Sequence, residues 1–417
     1  MNILLINHYA GSTKHGMEYR PYYLAREWTR QGHQVTIVAS SFSHLRSKNP
    51  QVQSFWSEEN VELVRYVWLK GLPYSGNGVR RILNMLGFLA LLAFFSRHLS
   101  NEKPDLVIGS STYPLDMLIA SRIARKAGAR LVFEVHDLWP LSPIELGGMS
   151  PKHPYIRLMQ YAEDFAYRTS DAVVSLLPLA EPYMASRGLP PDRFVCIPNG
   201  IDLQEWDGEG MPLPSEHIAV IDELKRSGKF LVGYAGSHGV SNALDVLLDA
   251  AQRLQAQPIA FVLVGQGPLK PELRSRAAQM GLQNIHFLEA IPKGMIPSFL
   301  RRMDALYLGW RRCSLYRFGI SPNKLLDYMA AGKPVVHSVE AGNDLVREAG
   351  SGFSTPAESP TAIAEEILKL RSMSQEERDR MGRRGRSFVE AHHRYGHLAM
   401  RFVEEVLKIP TSTRAGR

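Results

Sequence analysis

Cysteine is nearly absent from this chain of 417 residues: only Cys196 and Cys313 occur, with no CxxC spacing. That excludes a disulfide framework and a cysteine-built zinc site, and it fits a reducing compartment. Other signals are missing as well. No G-x-x-x-x-G-K-[S/T] run occurs, which excludes a P-loop, and no G-x-G-x-x-G follows the first apolar segment, which argues against a dehydrogenase. No Asp-x-Asp pair suited to magnesium is present, so no metal is expected. The opening MNILLINHY lacks the basic region and small-residue cleavage site of a secretory leader and reads as a buried strand. Glycine and proline, at 33 and 26 residues, are near average, and 45% hydrophobic with 22% charged residues is ordinary globular composition. The length suits two or three domains.

Acid is unevenly spread. The 49 basic and 41 acidic residues leave +8, without a polybasic arm that would mark a nucleic-acid partner. Residues 63–101 hold no Asp or Glu, while Arg65, Lys70, Arg80, Arg81 and Arg97 contribute +5. Inside this stretch lies ILNMLGFLALLAFF (residues 82–95), interrupted only by Asn84 and Gly87. As a helix the run is about 21 Å long, short of the roughly 30 Å hydrocarbon core, which argues against a transmembrane span. Two readings stay open: a helix covering a sheet, or one resting in the membrane interface with basic flanks on anionic headgroups. Arg80, Arg81, Leu86, Phe88 and Arg97 are the candidate membrane residues.

Apolar runs at 2–7, 34–39, 105–109, 130–135 and 172–176 read as strands, separated by helical patterns at 19–31, 115–126 and 155–169. The turn-rich IPNGIDLQEWD (residues 197–207) reads as a hinge. Beyond it, 230–234, 259–264, 285–288, 305–308 and 334–339 read as strands, with helices at 243–254, 269–280 and 323–331. This alternation predicts an α/β protein of two doubly wound, Rossmann-like domains, 1–205 and 206–390, and a last helix, 391–410, that crosses back to the first domain. The closing TSTRAGR is expected to be disordered.

Chemistry concentrates in FGISPNKLLDYMAAGKPV (residues 318–335), where Ser321 and Pro322 are helix-start residues. A helix N-terminus offers free N–H groups and the positive dipole end to a diphosphate. Lys324 adds a full charge there, and Asp327, three residues on, lies on the same face, where a carboxylate suits a ribose diol. A capped helix with a Lys–Asp surface pair is the plain alternative. Two more glycine turns follow strands. Gly265 and Gly267 end VLVGQG, where a flat base could approach, and Gly236, Ser237, His238 and Asn242 follow the strand before it in a phosphate-cradling pattern. Three such turns at strand ends of one domain point to a nucleotide site.

In their order and wording these segments resemble the family-4 glycosyltransferases, retaining enzymes of GT-B architecture. The resemblance runs through GHQVTIV at 32–38, IPNGID at 197–202, VGQGPLKPEL at 264–273 and PNKLLDYMAAGKPVV at 322–336. EVHDLWP at 134–140 looks like the branch that builds bacterial surface polysaccharides and lipid-linked oligosaccharides.

The resemblance implies two domains facing across a cleft. The C-terminal one would hold a nucleotide sugar, with UDP the expected carrier, and the N-terminal one a lipid-linked or saccharide acceptor. Donor contacts would come from Gly16, Gly236, Ser237, His238, Asn242, Gly265, Gly267, Ile291, Gly319, Ser321, Asn323, Lys324, Leu325 and Asp327. His136, Lys324 and Asp327 would be catalytic, and Glu18, Arg20, Asp137 and Trp139 would lie on the acceptor side. The family's acidic pair, separated by seven residues, keeps its second member as Asp327 but has Gly319 at the first, which suggests an N-acetylated or deoxy hexose. Ser237, His238 and Asn242 stand where an Arg and a Lys usually grip the diphosphate, and Lys324 is the candidate replacement. Helix dipoles and this lysine would act without a metal cofactor. The implied setting is cytoplasmic, peripheral on the inner face of the cytoplasmic membrane. A sugar-nucleotide epimerase of the same architecture is the alternative.

Overall fold

The βα units foreseen from the alternating pattern all form. The computed structural model describes residues 1–76, 78–208 and 210–411, so all but the first residue of TSTRAGR lies outside the described residues. The chain divides into two units, Met1–Asn199 with Tyr395–Arg417, and Gly200–Arg394.

The first unit is an eight-stranded sheet of β1 (Asn2–Ile6), β2 (Gln34–Ser40), β3 (Trp56–Val61), β4 (Val64–Leu69), β5 (Leu106–Gly109), β6 (Arg130–Val135), β7 (Ala172–Ser175) and β8 (Phe194–Cys196). Its order is β3-β4-β2-β1-β5-β6-β7-β8, parallel except for β3 on β4. The β3–β4 hairpin has no counterpart in the expectations above. Its two-residue turn places Glu62 at φ 53, a conformation for which the usual signal is Gly or Asn, so the turn is silent in sequence. The second unit is a six-stranded, wholly parallel sheet of β9 (Phe230–Ala235), β10 (Ile259–Val264), β11 (Ile285–Leu288), β12 (Ala305–Gly309), β13 (Val335–Ser338) and β14 (Gly352–Thr355), ordered β11-β10-β9-β12-β13-β14. Its central strands are near-continuous apolar runs such as IAFVLV, as burial on both faces requires.

The division falls at 199/200 and 394/395 rather than 205/206 and 390/391. Ile201, Leu203 and Trp206 pack into the second unit's core, which takes residues 200–205 with it, and helix Gln375–His392 carries that unit up to Arg394. The last helix, Tyr395–Lys408, returns to the first unit as expected. There Trp28 Nε1 donates to the Ala399 carbonyl at 2.8 Å, Tyr395 stacks on Tyr23 at 4.8 Å, and Phe402 meets the Trp28 ring edge-on at 5.1 Å.

The apolar run at 82–95 belongs to a helix of 23 residues, Val79–Asn101. At about 35 Å it is long and apolar enough to cross a membrane by length and composition, so the expectation that it is too short is overturned. The polar flanks extend the helix beyond its apolar core. One face, including Asn84, Met85, Phe88, Leu92, Ser96 and Leu99, is buried in the first unit. His8 fixes that face: its ring nitrogens bond Asn84 Oδ1 at 2.7 Å and the Tyr113 hydroxyl at 2.6 Å, and Phe88 lies 4.7 Å from its ring. Phe88 therefore faces the protein and not a membrane. Arg81 is half-buried with its guanidinium on the Tyr9 ring and hydroxyl, so it also leaves the candidate membrane set.

Candidate active site

In each unit the chain leaves a central strand in opposite directions, and the crevice at that strand's carboxyl end is where doubly wound sheets bind ligands. In the second unit that strand is β9, flanked by β10 and β12. Helix Asn323–Ala330 opens beside it, with Pro322 as its N-cap. Lys324 reaches back over the strand end. Its ammonium hydrogen-bonds the Asn242 side-chain oxygen and the Tyr234 hydroxyl, the latter at 3.3 Å, and lies 5.4 Å from the Tyr234 ring centre.

Among the described residues Lys324 makes no ion pair, and burial alone pushes its ammonium down to about 8. Nor does it pair with Asp327, so the plain Lys–Asp alternative falls. Burial drives the Asp327 carboxyl up to about 7, with Lys293 opposing and Glu205 reinforcing the shift. His238 is fully buried, and neither of its ring nitrogens has a hydrogen-bond partner among the described residues. Desolvation, with Lys270 and Lys324 nearby, takes it down to about 4, so it is neutral. Buried polar groups are normally satisfied within the fold. Here a half-buried cation and a buried imidazole stand without an internal ion pair at one strand end, which is how a site that completes itself with a polar ligand is built.

Several expected donor residues have other roles. A side chain on Gly265 would meet the Gly236 carbonyl at 1.9 Å, and one on Gly267 the backbone of His238 at 2.6 Å. These glycines let two loops cross, joined by His238 N–H to the Gln266 carbonyl at 2.9 Å. Leu325 is completely buried in the core, and Ile291 packs partly buried against it. Ser237 is exposed, its carbonyl accepting from Tyr234 and Asn242; Asn323 is exposed and Ser321 half-buried at the helix start. Gly319 ends the turn Ser314–Phe318, with φ 94. Gly16 is in the first unit, in a loop folded against Ser47, with Gly11 packed on the Gly16 and Met17 carbonyls. Gly11 is thus a second constrained glycine of that loop, which the spacing had not singled out.

In the first unit the central strand is β1, between β2 and β5. His136 sits just past β6 with its side chain 13% exposed, held by the buried Glu134. Its Nε2 is 3.2 Å from Glu134 Oε2 and 2.9 Å from the Ser110 hydroxyl, which itself donates to Glu134 at 2.5 Å. Arg20 was expected to point into the cleft on the acceptor side. Instead it is buried, pairs with Glu134 at 3.0 Å and donates to the carbonyls of Ile197 and Pro198 at 2.9 and 2.6 Å. Against the cost of desolvation, Arg20, then His136 and Ser110, hold Glu134 down to about 2. Burial works to lower His136, but the hydrogen bond and charge of Glu134 outweigh it and raise the imidazole above its ordinary value. The Glu134 carboxylate therefore favours the protonated form of His136.

Glu18 is half-buried nearby, its carboxyl raised by desolvation and opposed by His136. Asp137 is exposed, and Trp139 is half-buried against Tyr9, Met85 and Tyr113. Glu134 and Ser110 were missed, although Glu134 stands two residues before His136, the spacing that puts side chains on one side of an extended segment. A Glu134→Gln variant should lower the His136 pKa, since the raising charge is removed while the opposing desolvation remains. An NMR titration of the imidazole checks this, and an unmoved midpoint would refute the assignment.

Among the described residues no group of three or more His, Cys, Asp or Glu side chains is gathered where it could hold a metal.

Two Rossmann-like units, with a lysine-bearing helix start at the central strand of the second, define a GT-B protein. Residues 15–200 match the model described as a glycosyl transferase 4-like domain and residues 229–372 that of glycosyl transferases group 1, and the chain belongs to these glycosyltransferases. It is 25% identical over 333 residues to WcaI of Escherichia coli (strain K12), named for glycosyl transfer in colanic acid biosynthesis, covering 76% of this chain and 79% of that one. It is 30% identical over 166 residues to the D-rhamnosyltransferase WbpZ of Pseudomonas aeruginosa, covering 39% and 42%. Among solved structures, HepE of Anabaena, crystallised with UDP and glucose, superposes with a TM-score of 0.67 at 15% identity over 98% of this chain and 100% of that one. The trehalose-6-phosphate synthase OtsA reaches 0.72 at 13% identity over 99% and 100%. The named relatives are transferases, and nothing among them favours an epimerase.

Proposed function

We propose that this enzyme is a retaining glycosyltransferase that moves an N-acetylated or deoxy hexose from a UDP-sugar to a lipid-linked or saccharide acceptor in bacterial cell-surface polysaccharide biosynthesis. The observation that carries this reading is the half-buried Lys324 at a helix start, without an ion pair among the described residues and bonded to Asn242 on the loop after β9. That is a place built for the charge of a diphosphate. The relatives' names supply the polysaccharide setting, and Gly319 in place of an acid favours a sugar with fewer hydroxyls to hold.

In the reaction the bond between the anomeric carbon and the diphosphate oxygen breaks, its electron pair leaving with the diphosphate. The acceptor hydroxyl bonds to the same face of the sugar, and its proton passes to the departing phosphate, giving a glycoside and UDP. Lys324 and the helix N–H groups stabilise the charge that develops on the leaving group, doing so without a metal. His136, held by Glu134, donates a hydrogen bond to a sugar hydroxyl. Asp327, near its titration point at neutral pH, accepts from the ribose.

A screen of nucleotide sugars by thermal unfolding tests the donor. At a hundredfold excess over Kd, the cognate UDP-sugar should raise Tm by on the order of 5 °C. Stabilisation by guanosine- or thymidine-linked sugars but not uridine-linked ones would overturn the choice of base. UDP release that proceeds equally without acceptor would overturn the transfer.

A further inference from the structure

Helix Val79–Asn101 is apolar on all sides, and such helices belong either in a protein core or in lipid. The first unit covers only one face. The other carries Val79, Ile82, Leu83, Leu86 and Phe94 in the open, with Val79 71% and Phe94 78% exposed. Two loop residues bracketing the β3–β4 hairpin, Phe55 and Leu72, are also exposed. Trp56 on β3 touches Phe95 of the helix at 4.9 Å, which ties the hairpin end to the helix. An apolar surface of this extent on a water-soluble face calls for a partner.

The surrounding charge identifies the partner. Arg65 is not part of the basic rim, because Glu58 and Glu102 both pair with it at 2.9 Å; that pairing also neutralises the acids bordering the patch. Arg81 is turned onto Tyr9. What remains outward is Arg80 at one end of the helix, Arg97 at the other, and Lys70 beside Phe55 at 6.0 Å. An apolar stripe with cations at its ends and no acid within residues 63–101 is complementary to an anionic lipid surface.

We infer that this face docks on the membrane with the helix lying in the plane of the headgroups. Spanning is excluded by the inner face: crossing would pull Asn84 away from His8 and from the Leu72 carbonyl, which it holds at 2.7 Å, leaving buried polar groups unpaired. Val79, Ile82, Leu83, Leu86 and Phe94 enter the acyl boundary, while the buried Phe88 and Leu92 keep the helix on the first unit. The inference deepens the reading of a lipid-linked acceptor, since the face would present the enzyme to a substrate confined to the bilayer.

Vesicle flotation tests it independently of catalysis. The full chain should float with phosphatidylglycerol-containing vesicles and much less with pure phosphatidylcholine or at high salt. Leu83→Ser/Leu86→Ser/Phe94→Ser should weaken binding about a hundredfold, and Arg80→Glu/Arg97→Glu should weaken it by about fivefold or more per arginine. All these side chains are exposed, so melting temperatures should stay unchanged, and transfer to a water-soluble acceptor should persist in both variants. Vesicle binding unaltered by either variant, or a wild-type chain that ignores anionic vesicles and dimerises through this face, would overturn the inference. Loss of transfer with vesicle binding intact would instead count against the acceptor reading.

Discussion

Arg20→Met should cost the first unit about 3–5 kcal/mol of stability at neutral pH, because it strands a buried carboxylate. Glu134 is wholly buried, and Arg20 is the largest influence that keeps it ionised against desolvation. The size of the effect reflects that uncompensated charge rather than the net worth of the pair. The sign with pH follows. In the wild type the folded-state value of Glu134 is depressed to about 2, so its contribution is present above the unfolded-state value of 4.5 and is lost as pH falls toward 2. Without Arg20, desolvation drives the carboxyl upward, and a protonated Glu134 no longer needs a counter-charge. The gap between variant and wild type should therefore narrow on acidification toward pH 4. Urea unfolding followed by tryptophan fluorescence measures both. A loss under about 1 kcal/mol at pH 7 would show that Arg20 is a surface group after all.

Lys324→Ala should lower kcat/KM about 100- to 1000-fold, the loss expected when one charged donor to a developing oxyanion is removed. The lysine is prepared for this. Its stem runs over Gly236, where an added side chain would come within 2.8 Å of its Cδ, and its ammonium is fixed by Asn242 and Tyr234 rather than spent on a carboxylate. Because burial brings it to about 8, kcat/KM for the wild type should fall as pH rises through that value. The alkaline limb should be missing in Lys324→Ala. Isothermal titration with UDP separates binding from chemistry, and unchanged affinity together with unchanged kcat/KM would remove Lys324 from the diphosphate site.

Much of this was readable from local pattern. Strands such as Ile259–Val264 announce themselves by composition, and the helix start at Asn323 by the Ser-Pro before it. The lysine's place at a helix start after a glycine turn was legible because both are features of short segments. Gly265 was only partly legible for the same reason. A glycine turn says that something comes close, and only the folded chain shows that the close object is the Gly236 carbonyl. The β3–β4 hairpin was invisible because Glu62 adopts a backbone conformation its residue type rarely signals.

What the sequence by itself determined is the period of each segment, hence two parallel sheets, and the residue types gathered at the strand ends. The tertiary structure decided direction. It alone turned Arg20 inward, through partners 114, 177 and 178 residues away, and made it a support for His136. It alone chose which face of Val79–Asn101 meets His8 and which is left open. A helix that is apolar all round has no sequence-encoded inside. Its orientation is settled by long-range contacts, here the hydrogen bond between His8 and Asn84, which pattern within a short window does not contain.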